Sequence, residues 1–397
     1  MRTELPATFL ATEDGRRANA ILRSCVHCGF CNATCPTYQV TGDELDGPRG
    51  RIYLMKSMFE SGEISGVVRE HLDRCLTCRS CETTCPSGVR YSELLEIGRS
   101  RIEKDAPRPL AKSLMRKLLG AVLPAKGLLT VLLRLGRPLR PLFPRKFRHY
   151  LAPVSAHAPQ PRTQHARKVL LLNGCVQRQL TPQVNDHLVA LLNARGVTVI
   201  EVADEACCGG LNLHLGQDDA AHASMTRNIK ALTPYLGEVE AIISTASGCG
   251  VTLKDYGRLY PAEGPLAAQA QAIAAKTVDA VELLAHFEFK PAVQARRIAV
   301  QTPCTLQHGQ KLNGRMEVLL ERCGYDLLPV AEPHLCCGSA GTYSILEPEI
   351  SDQLRTRKLA ALHKHQPEVI ATANIGCQMH LAAGTSTPVL HWLTLLE

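Results

Sequence analysis

The chain has 397 residues, enough for two or three domains with sizeable cores. Its 45% hydrophobic and 21% charged residues are typical of a globular protein and exclude a disordered chain. The first twenty residues carry acids, and no run of about 18 apolar residues occurs, so we expect neither a signal peptide nor a membrane-spanning helix. In such a chain, 17 cysteines indicate metal ligation rather than disulfides.

Two cysteine runs near the start share the spacing Cys-x2-Cys-x2-Cys-x3-Cys-Pro. Bacterial ferredoxins use this spacing for cubane iron–sulfur clusters, and the fourth cysteine of each run there binds the cluster of the other run. The proline that follows redirects the chain. The expected ligands of the two [4Fe-4S] clusters are Cys25, Cys28, Cys31 and Cys85 for one, and Cys75, Cys78, Cys81 and Cys35 for the other.

Zinc is the alternative, but zinc sites usually carry pairs of cysteines rather than triplets followed by Cys-Pro. The runs therefore predict electron transfer. Helical patterns between them favour a mainly helical two-cluster domain over residues 1–105. Arg49 and Arg51 follow a Gly-Pro turn, where we favour a solvated position over contact with a cluster or a partner.

Residues 106–150 contain eleven Lys and Arg and no Asp or Glu. Leu110, Leu114 and Leu118 have helical spacing, and prolines divide the segment into short pieces. Short basic amphipathic helices are typical of membrane-surface anchors, because cations meet anionic lipid while apolar side chains enter the interface. Packing on the protein's own core or on a partner subunit is the alternative. Nucleic-acid binding is not predicted, and we interpret residues 106–167 as a basic amphipathic linker.

The remaining chain contains two copies of one cysteine pattern. In each copy, 31 residues separate a first cysteine from a Cys-Cys-Gly sequence, and a Gly-Cys follows later. Each landmark follows a short apolar run, with segments of helix length between them. This alternation predicts two α/β domains with parallel sheets, over residues 168–285 and 290–397. The cysteines are Cys175, Cys207, Cys208 and Cys249 in the first copy and Cys304, Cys336, Cys337 and Cys377 in the second.

Functional groups of parallel sheets gather beyond the carboxyl ends of the strands, so we expect the four thiols of each copy to converge. They could hold an additional metal centre, or they could be reduced structural cysteines that only contact a cofactor of another subunit. Cys323 lies outside the pattern and is expected to be buried. The predicted fold class is α+β multidomain, with a mainly helical two-cluster ferredoxin domain followed by two repeated α/β Cys-Cys-Gly domains.

Over essentially its whole length the chain resembles the iron–sulfur subunits of glycolate oxidase. The resemblance rests on the two cysteine runs, on Gly47-Pro-Arg-Gly-Arg51 and on Asn374-Ile-Gly-Cys-Gln378. Iron–sulfur subunits of lactate and glycerol-3-phosphate dehydrogenases and of heterodisulfide reductase are related. The heterodisulfide reductase type ends its motif in Cys-x2-Cys, whereas this chain has Thr252 and His380 at the final position. That difference argues against a non-cubane cluster of the reductase type.

The resemblance implies a complex in which separate flavin subunits, containing FAD, oxidise glycolate to glyoxylate. This chain would relay electrons from them to quinone or another membrane acceptor. Because it lacks a Gly-x-Gly-x-x-Gly fingerprint, we predict no catalytic residue in it. A lactate or glycerol-3-phosphate dehydrogenase subunit, or a heterodisulfide-reductase-like subunit, is the alternative. We expect a cytoplasmic protein with peripheral contact to the inner face of the cell membrane.

Overall fold

The computed structural model describes residues 1–144, 148–152, 154, 164–292, 294 and 296–397. Part of the predicted linker 106–167 therefore lies outside the described residues. The predicted domain boundaries at 105, 167, 285 and 290 stay predictions.

The N-terminal part is mainly helical. Its helices are α1 Ala7–Leu10, α2 Glu13–Ser24, α3 Phe30–Ala33, α4 Pro36–Thr41, α5 Pro48–Ser61, α6 Gly66–Asp73, α7 Ser80–Thr84 and α8 Tyr91–Asp105, with a 3-10 turn at Glu44–Asp46. Helix α2 begins at Glu13 because the Thr12 side chain accepts a hydrogen bond from the backbone N–H of Gly15. Helix α5 begins with Pro48, whose missing N–H costs nothing at a first helical position.

The core of this part consists of apolar side chains at helical spacing on α2, α5, α6 and α8. Ile21, Met55, Leu72, Leu94 and Leu95 are at most 2% exposed. Burying each such side chain contributes about 1.5–3 kcal/mol. The cysteine runs pack against this core. Cys31 lies in α3 and Cys81 in α7, and the other six cysteines of the two runs lie in the adjoining loops.

The basic segment forms two helices, α9 Leu110–Val122 and α10 Lys126–Gly136, which meet at an angle of 103°. A 3-10 turn follows at Arg140–Leu142. In the part of the chain that the structure describes, no single helix is long and apolar enough to cross a bilayer. The bent pair α9 and α10 meets the length and composition criteria only when its members are taken together.

Two four-stranded parallel sheets follow, with the orders β2-β1-β3-β4 and β6-β5-β7-β8. The strands are β1 Arg167–Leu172, β2 Val197–Glu201, β3 Ala241–Ser244, β4 Thr277–Asp279, β5 Arg297–Gln301, β6 Asp326–Leu328, β7 Val369–Thr372 and β8 Val389–His391. Six strands coincide with the predicted apolar runs. The edge strands β4 and β8 were not predicted, because three-residue strands carry too short a pattern to recognise.

Helices flank both sheets. They are α11 Gln177–Leu180, α12 Pro182–Asn193, α13 Gly210–His214, α14 Asp218–Leu232, α15 Ser247–Lys254, α16 Tyr256–Leu259, α17 Ala267–Lys276, α18 Ala280–Leu284, α19 Arg315–Arg322, α20 Tyr343–Leu346, α21 Pro348–His363 and α22 Ile375–Ala382. A π-helical turn lies at Thr305–Gly309, and 3-10 turns lie at Thr233–Tyr235 and Trp392–Leu395.

The two α/β units share one hydrophobic core. Leu188 and Leu284 of the first unit and Leu306, Leu319 and Trp392 of the second belong to a single cluster of buried side chains. Polar contacts also join the units, since the backbone N–H of Ser247 donates to the carbonyl of Ala373 at 3.2 Å. The units therefore pack as one body, with the carboxyl ends of both sheets facing a common cavity.

Candidate iron–sulfur centres

The two cysteine runs have matching backbone conformations. His27 (φ 56°) corresponds to Thr77 (φ 53°), and Gly29 (φ 85°) corresponds to Arg79 (φ 62°), each pair 50 residues apart. A left-handed conformation at a non-glycine residue costs on the order of 1–3 kcal/mol, so this geometry persists only where surroundings impose it. Such turns aim successive backbone N–H groups into an anion-binding concavity, as at many iron–sulfur sites. The backbone of both runs therefore fits a cluster, independently of the thiols.

The fourth cysteine of each run lies with the first three of the other. Cys85 lines a small cavity together with Cys25, Cys28 and Cys31. Cys35 lines a second one together with Cys75, Cys78 and Cys81. This arrangement favours the crossed ligand sets.

The crossing occurs where α3 and α7 meet. Thr34 Oγ1 lies 3.0 Å from Thr84 Oγ1, and these residues directly precede Cys35 and Cys85. Cys81 lines both small cavities, so the two candidate cluster sites are neighbours.

The two sites differ in exposure. Of all 17 cysteines, Cys28 alone is exposed. Burial raises the pKa of Cys78 and of Cys81 well above the usual thiol value. The site of Cys25, Cys28, Cys31 and Cys85 therefore reaches the protein surface at Cys28, whereas the site of Cys75, Cys78, Cys81 and Cys35 has no exposed cysteine.

Arg51 lies beside the second run, so the expected solvated position is wrong for this residue. It is 1% exposed, and its Nε donates to the carbonyl of His71 at 2.6 Å. Its Nη1 donates to Thr37 Oγ1 at 3.0 Å and lies 4.0 Å from Cys35 Sγ, and its Nη2 lies 3.3 Å from Asp46 Oδ1. A buried guanidinium thus faces a candidate ligand of the second cluster.

Arg49 is partly exposed, as expected of a solvated residue, but it also lines the cavity of Cys25, Cys28, Cys31 and Cys85. Its side chain is 38% exposed and pairs with Glu44 at 2.7 Å. Tyr91 is a second neighbour of the interior site, because its hydroxyl donates to Cys75 Sγ at 3.6 Å. Helical periodicity could have revealed Arg51, since it shares a face of α5 with the core residues Met55 and Met58.

The four patterned cysteines of the first α/β unit converge beyond the carboxyl ends of β1, β2 and β3. Cys175 Sγ lies 3.6 Å from Cys207 Sγ. Hydrogen bonds from Cys207 and Cys249 hold the pKa of the Cys208 thiol well below its usual value. Gly209 (φ 89°) is required here, because a Cβ atom would lie 3.0 Å from the carbonyl oxygen of Ala221.

The second unit repeats this arrangement. Cys304 Sγ lies 3.9 Å from Cys336 Sγ, and Cys337 is hydrogen-bonded to Cys377. Gly338 has φ 90°, and a Cβ there would lie 2.6 Å from the carbonyl oxygen of Ser351. The structure thus brings the eight cysteines into two sets of four, and Cys323 lies apart, buried in the shared core.

Different ionisable groups lie beside the two sets, an acid paired with Lys126 at 3.1 Å in the first unit and a lysine in the second. The buried Glu205 carboxylate accepts a hydrogen bond from the backbone N–H of Asn173 at 2.9 Å and interacts with Cys249. In the second unit, the buried Lys358 donates to the carbonyls of Glu332 and Pro333 at 3.0 and 3.1 Å. Burial lowers the pKa of Lys358, and the nearby thiols oppose this effect. Sequence reasoning did not identify Glu205 or Lys358, because their proximity to the thiols depends on the tertiary fold.

The positions that carry cysteine in heterodisulfide reductases are occupied by other groups in this chain. The Thr252 hydroxyl donates to the carbonyl of Gly248 at 3.0 Å and is hydrogen-bonded to Cys208. His380 Nε2 lies 3.3 Å from Ser351 Oγ, and burial lowers the pKa of His380 to about 4. Neither position supplies a thiolate.

A cavity of about 520 Å³ connects the interior sites. Cysteines of both α/β units and Cys78 of the second run line it, and so do Leu123, Leu129 and Leu133 of the basic segment. Leu76, next to Cys75, packs in one cluster with Cys304, Cys336 and Tyr343. The candidate centres therefore form a series that leads from the exposed Cys28 through the second run to this cavity.

Comparisons with known proteins agree with this geometry. Residues 21–89 match the family model of the 4Fe-4S dicluster domain, and residues 169–254 and 298–382 match that of the cysteine-rich domain. The fold and the cysteine geometry thus define an electron-transferring iron–sulfur protein in which a dicluster domain is joined to two cysteine-rich domains.

Curated relatives narrow this class. The glycolate oxidase iron–sulfur subunit of Escherichia coli (strain K12) is 45% identical over 100% of this chain and 98% of that protein. A probable glycolate oxidase iron–sulfur subunit of Bacillus subtilis (strain 168) is 29% identical over 91% and 89%. A fumarate reductase (CoM/CoB) subunit of Methanothermobacter marburgensis is 26% identical over 91% and 67%. The chain belongs to the family of glycolate oxidase iron–sulfur subunits, which confirms the resemblance and the fold class predicted from the sequence.

Proposed function

We propose that this chain is the electron-transfer subunit of a glycolate oxidase complex, in which separate FAD-containing subunits oxidise glycolate to glyoxylate. Family membership supports glycolate as the substrate of the complex. The observation that supports electron relay by this chain is the series of cysteine sites from the exposed Cys28 to the central cavity. We assign no catalytic residue to the chain, since it has no dinucleotide fingerprint.

The ligands proposed for the two clusters are the crossed sets predicted from the sequence. A [4Fe-4S] cluster bound by such a set exchanges single electrons, with a potential set by charge, hydrogen bonds and exposure. Arg51 lies beside Cys35 and Tyr91 beside Cys75 of the second set, so both can influence this potential. The two sets of the cysteine-rich domains are proposed to hold a further metal centre, because each brings four thiols together.

The central cavity and the basic helices support the proposal that the electrons pass to an acceptor in the membrane, such as quinone. Leu129 and Leu133 face the protein interior, whereas Leu114 and Leu135 are 69% and 66% exposed. The exposed surface of α9 and α10 combines apolar side chains with Lys112, Lys117 and Arg134 and contains no acid, as expected for a helix pair that lies on anionic lipid. We therefore propose a cytoplasmic protein bound peripherally to the inner face of the membrane.

Reconstitution tests the proposed function. The purified chain alone should not reduce a dye with glycolate, whereas the chain combined with its FAD subunits should do so and should show reduction of its clusters by EPR. Glycolate, lactate and glycerol 3-phosphate are compared at equal concentration. Cluster reduction by lactate or glycerol 3-phosphate but not by glycolate would contradict the proposal. Glycolate-dependent dye reduction by the lone chain would contradict its non-catalytic role.

A further inference from the structure

The surface around Cys28 carries unusually exposed apolar side chains. Val26 is 67% exposed, Phe30 is 62% exposed and Tyr53 is 59% exposed. Val26 and Phe30 belong to the first cysteine run, and the Tyr53 ring lies 6.4 Å from the ring of His27 in that run. We call Val26, Cys28, Phe30 and Tyr53 the Cys28 face. Large exposed apolar groups that surround a functional group mark interaction sites.

The second cysteine run repeats the first, so the contacts of its equivalent surface can be compared with those of the Cys28 face. Val26 corresponds to Leu76, 50 residues later, and Leu76 is 3% exposed. Leu76 is covered by Cys304, Cys336 and Tyr343 of the second cysteine-rich domain, so the second run packs against a neighbouring set of converging cysteines. Nothing among the described residues covers the equivalent Val26.

Polar contacts of the two runs differ in the same way. Thr83 Oγ1 of the second run lies 2.9 Å from His308 Nδ1 of the second cysteine-rich domain. Arg79 pairs with Asp255 of the first cysteine-rich domain at 3.0 Å. The corresponding residues of the first run are Ala33, which is exposed, and Gly29. The second run is thus enclosed by its own chain, whereas the equivalent surface of the first run is open.

The rim of the Cys28 face favours a protein over a lipid surface. Arg49 Nη1 would lie 2.8 Å from a Cβ atom at Gly29, so this guanidinium lies against the loop, and its Nε pairs with Glu44 at 2.7 Å. Lys56, one turn from Tyr53, pairs with Glu60 at 2.6 Å. An apolar centre inside a rim of both charges is the usual anatomy of a protein interface. Lipid binding instead calls for a predominantly cationic rim, like that of α9 and α10.

We propose that the Cys28 face is the surface on which the FAD-containing subunit docks to deliver its electrons. This inference rests on the proposed function and assigns that function a location on the chain. A reduced flavin loses two electrons and two protons on oxidation. The electrons pass singly to the site held by Cys25, Cys28, Cys31 and Cys85, and the protons are released to water. Cys28 is the one cysteine exposed at the protein surface, so this face offers the shortest approach for an external donor.

Two separate charge substitutions in the full chain test the docking surface, Tyr53→Glu and Phe30→Glu. A matched control is Val318→Glu, an exposed aliphatic residue of α19 in the second cysteine-rich domain, 54% exposed. The measured quantity is the dissociation constant between the chain and the purified glycolate-oxidising FAD subunits. A charge placed in the centre of an interface should weaken binding by about tenfold or more, as loss of a hot-spot residue does. Val318→Glu should bind like the wild type.

Iron content and the EPR spectrum of dithionite-reduced protein show whether each variant keeps its clusters. Tyr53→Ala is the milder variant, to be used if Tyr53→Glu loses iron, and it should also weaken binding. Wild-type affinity in iron-replete Tyr53 and Phe30 variants would overturn the docking surface and leave the proposed function intact. A wild-type chain that binds no FAD subunit would overturn both. Loss of self-association or of vesicle binding, with FAD-subunit affinity unchanged, would assign the face to a second copy or to lipid and overturn the proposal.

Discussion

Single residues around the second run control the environment of its proposed cluster. The Arg51 guanidinium is 1% exposed and 4.0 Å from Cys35 Sγ, and Tyr91 donates a hydrogen bond to Cys75 Sγ. A buried positive charge stabilises the more negative, reduced state of a nearby cluster, and a hydrogen bond to a ligand sulfur acts in the same direction. The second site is therefore expected to be easier to reduce than it would be without these groups.

Arg51→Gln should lower the reduction potential of the second cluster, because the buried positive charge is removed. It should also cost about 1–3 kcal/mol of stability, since buried partners such as Asp46 lose their donors. Redox titration followed by EPR measures the potential. Arg49→Gln, at a partly exposed and solvent-screened position, is the control and should change the potential less. An unchanged potential in Arg51→Gln would show that the guanidinium does not influence the cluster.

Cys35→Ser tests the crossed ligand assignment. Cys35 shares its cavity with Cys75, Cys78 and Cys81, so the substitution should disturb the cluster of the second run and leave that of the first run intact. Cys85→Ser should have the reverse effect, because Cys85 lies with the first run. EPR measures which cluster each variant loses. A variant that lacks the Cys28 ligand shows the spectrum expected when the first cluster is disturbed. Damage by Cys35→Ser confined to the first cluster would refute the crossing.

At the scale of elements, α9 and α10 have two different faces. Arg116 is turned inward, where its Nη2 donates to the carbonyl of Leu215 at 2.7 Å and its Nη1 lies 3.7 Å from Asp73. Lys112, Lys117 and Arg134 are exposed beside the apolar side chains. The inner face of the two helices thus packs on the protein, and their outer face is exposed and could contact lipid.

The triple substitution Lys112→Glu, Lys117→Glu and Arg134→Glu should abolish binding to anionic vesicles, because each cation near such a surface contributes on the order of 1 kcal/mol. Vesicle sedimentation at low and high salt measures this, and salt should weaken the binding of the wild type. Three exposed cations elsewhere, Arg227, Lys230 and Lys311, reversed together, form the control and should leave binding unchanged. No binding of the wild-type chain at low salt would leave α9 and α10 as a subunit contact.

At the scale of the whole molecule, the two cysteine-rich domains share a core and are not independent. Trp392 of the second domain is 1% exposed and lies in the same cluster as Leu188 and Leu284 of the first. The side chain of His187 contacts the carbonyl of Leu396 at 2.9 Å across the same boundary. A substitution in the core on one side of this boundary should therefore destabilise both sheets.

Trp392→Ala should destabilise the protein by about 3–5 kcal/mol, the usual cost of emptying a large buried site. Hydrogen exchange should increase in β1 as well as in β5, because both strands pack on the shared core. Ile345→Ala, at a residue 40% exposed, is the control and should change stability by less than about 0.5 kcal/mol. Faster exchange restricted to the second sheet would show that the two domains unfold separately.

The sequence alone was sufficient for features that depend on local spacing. Cysteine steps of three residues, the Cys-Cys-Gly repeat and apolar runs each constrain only a few consecutive residues. They therefore predicted the dicluster domain, the parallel sheets and six of the eight strands found in the described residues. The repeat also predicted the convergence of thiols such as Cys175 and Cys207, since the carboxyl ends of parallel strands share one edge.

The tertiary structure decided which of the repeated elements are covered and which remain open. Val26 and Leu76 occupy equivalent places in identical motifs, but only Leu76 is buried, because residues more than 200 positions later in the chain pack on it. Arg51 of α5 was expected in solvent and lies in the interior because α4, the 3-10 turn at Glu44–Asp46 and α6 enclose it. Helical periodicity could place Arg51 on the inner face of α5, but it could not show which distant groups meet it there. The order of the sites from surface to cavity depends on contacts between distant segments, so it emerges only from the folded chain.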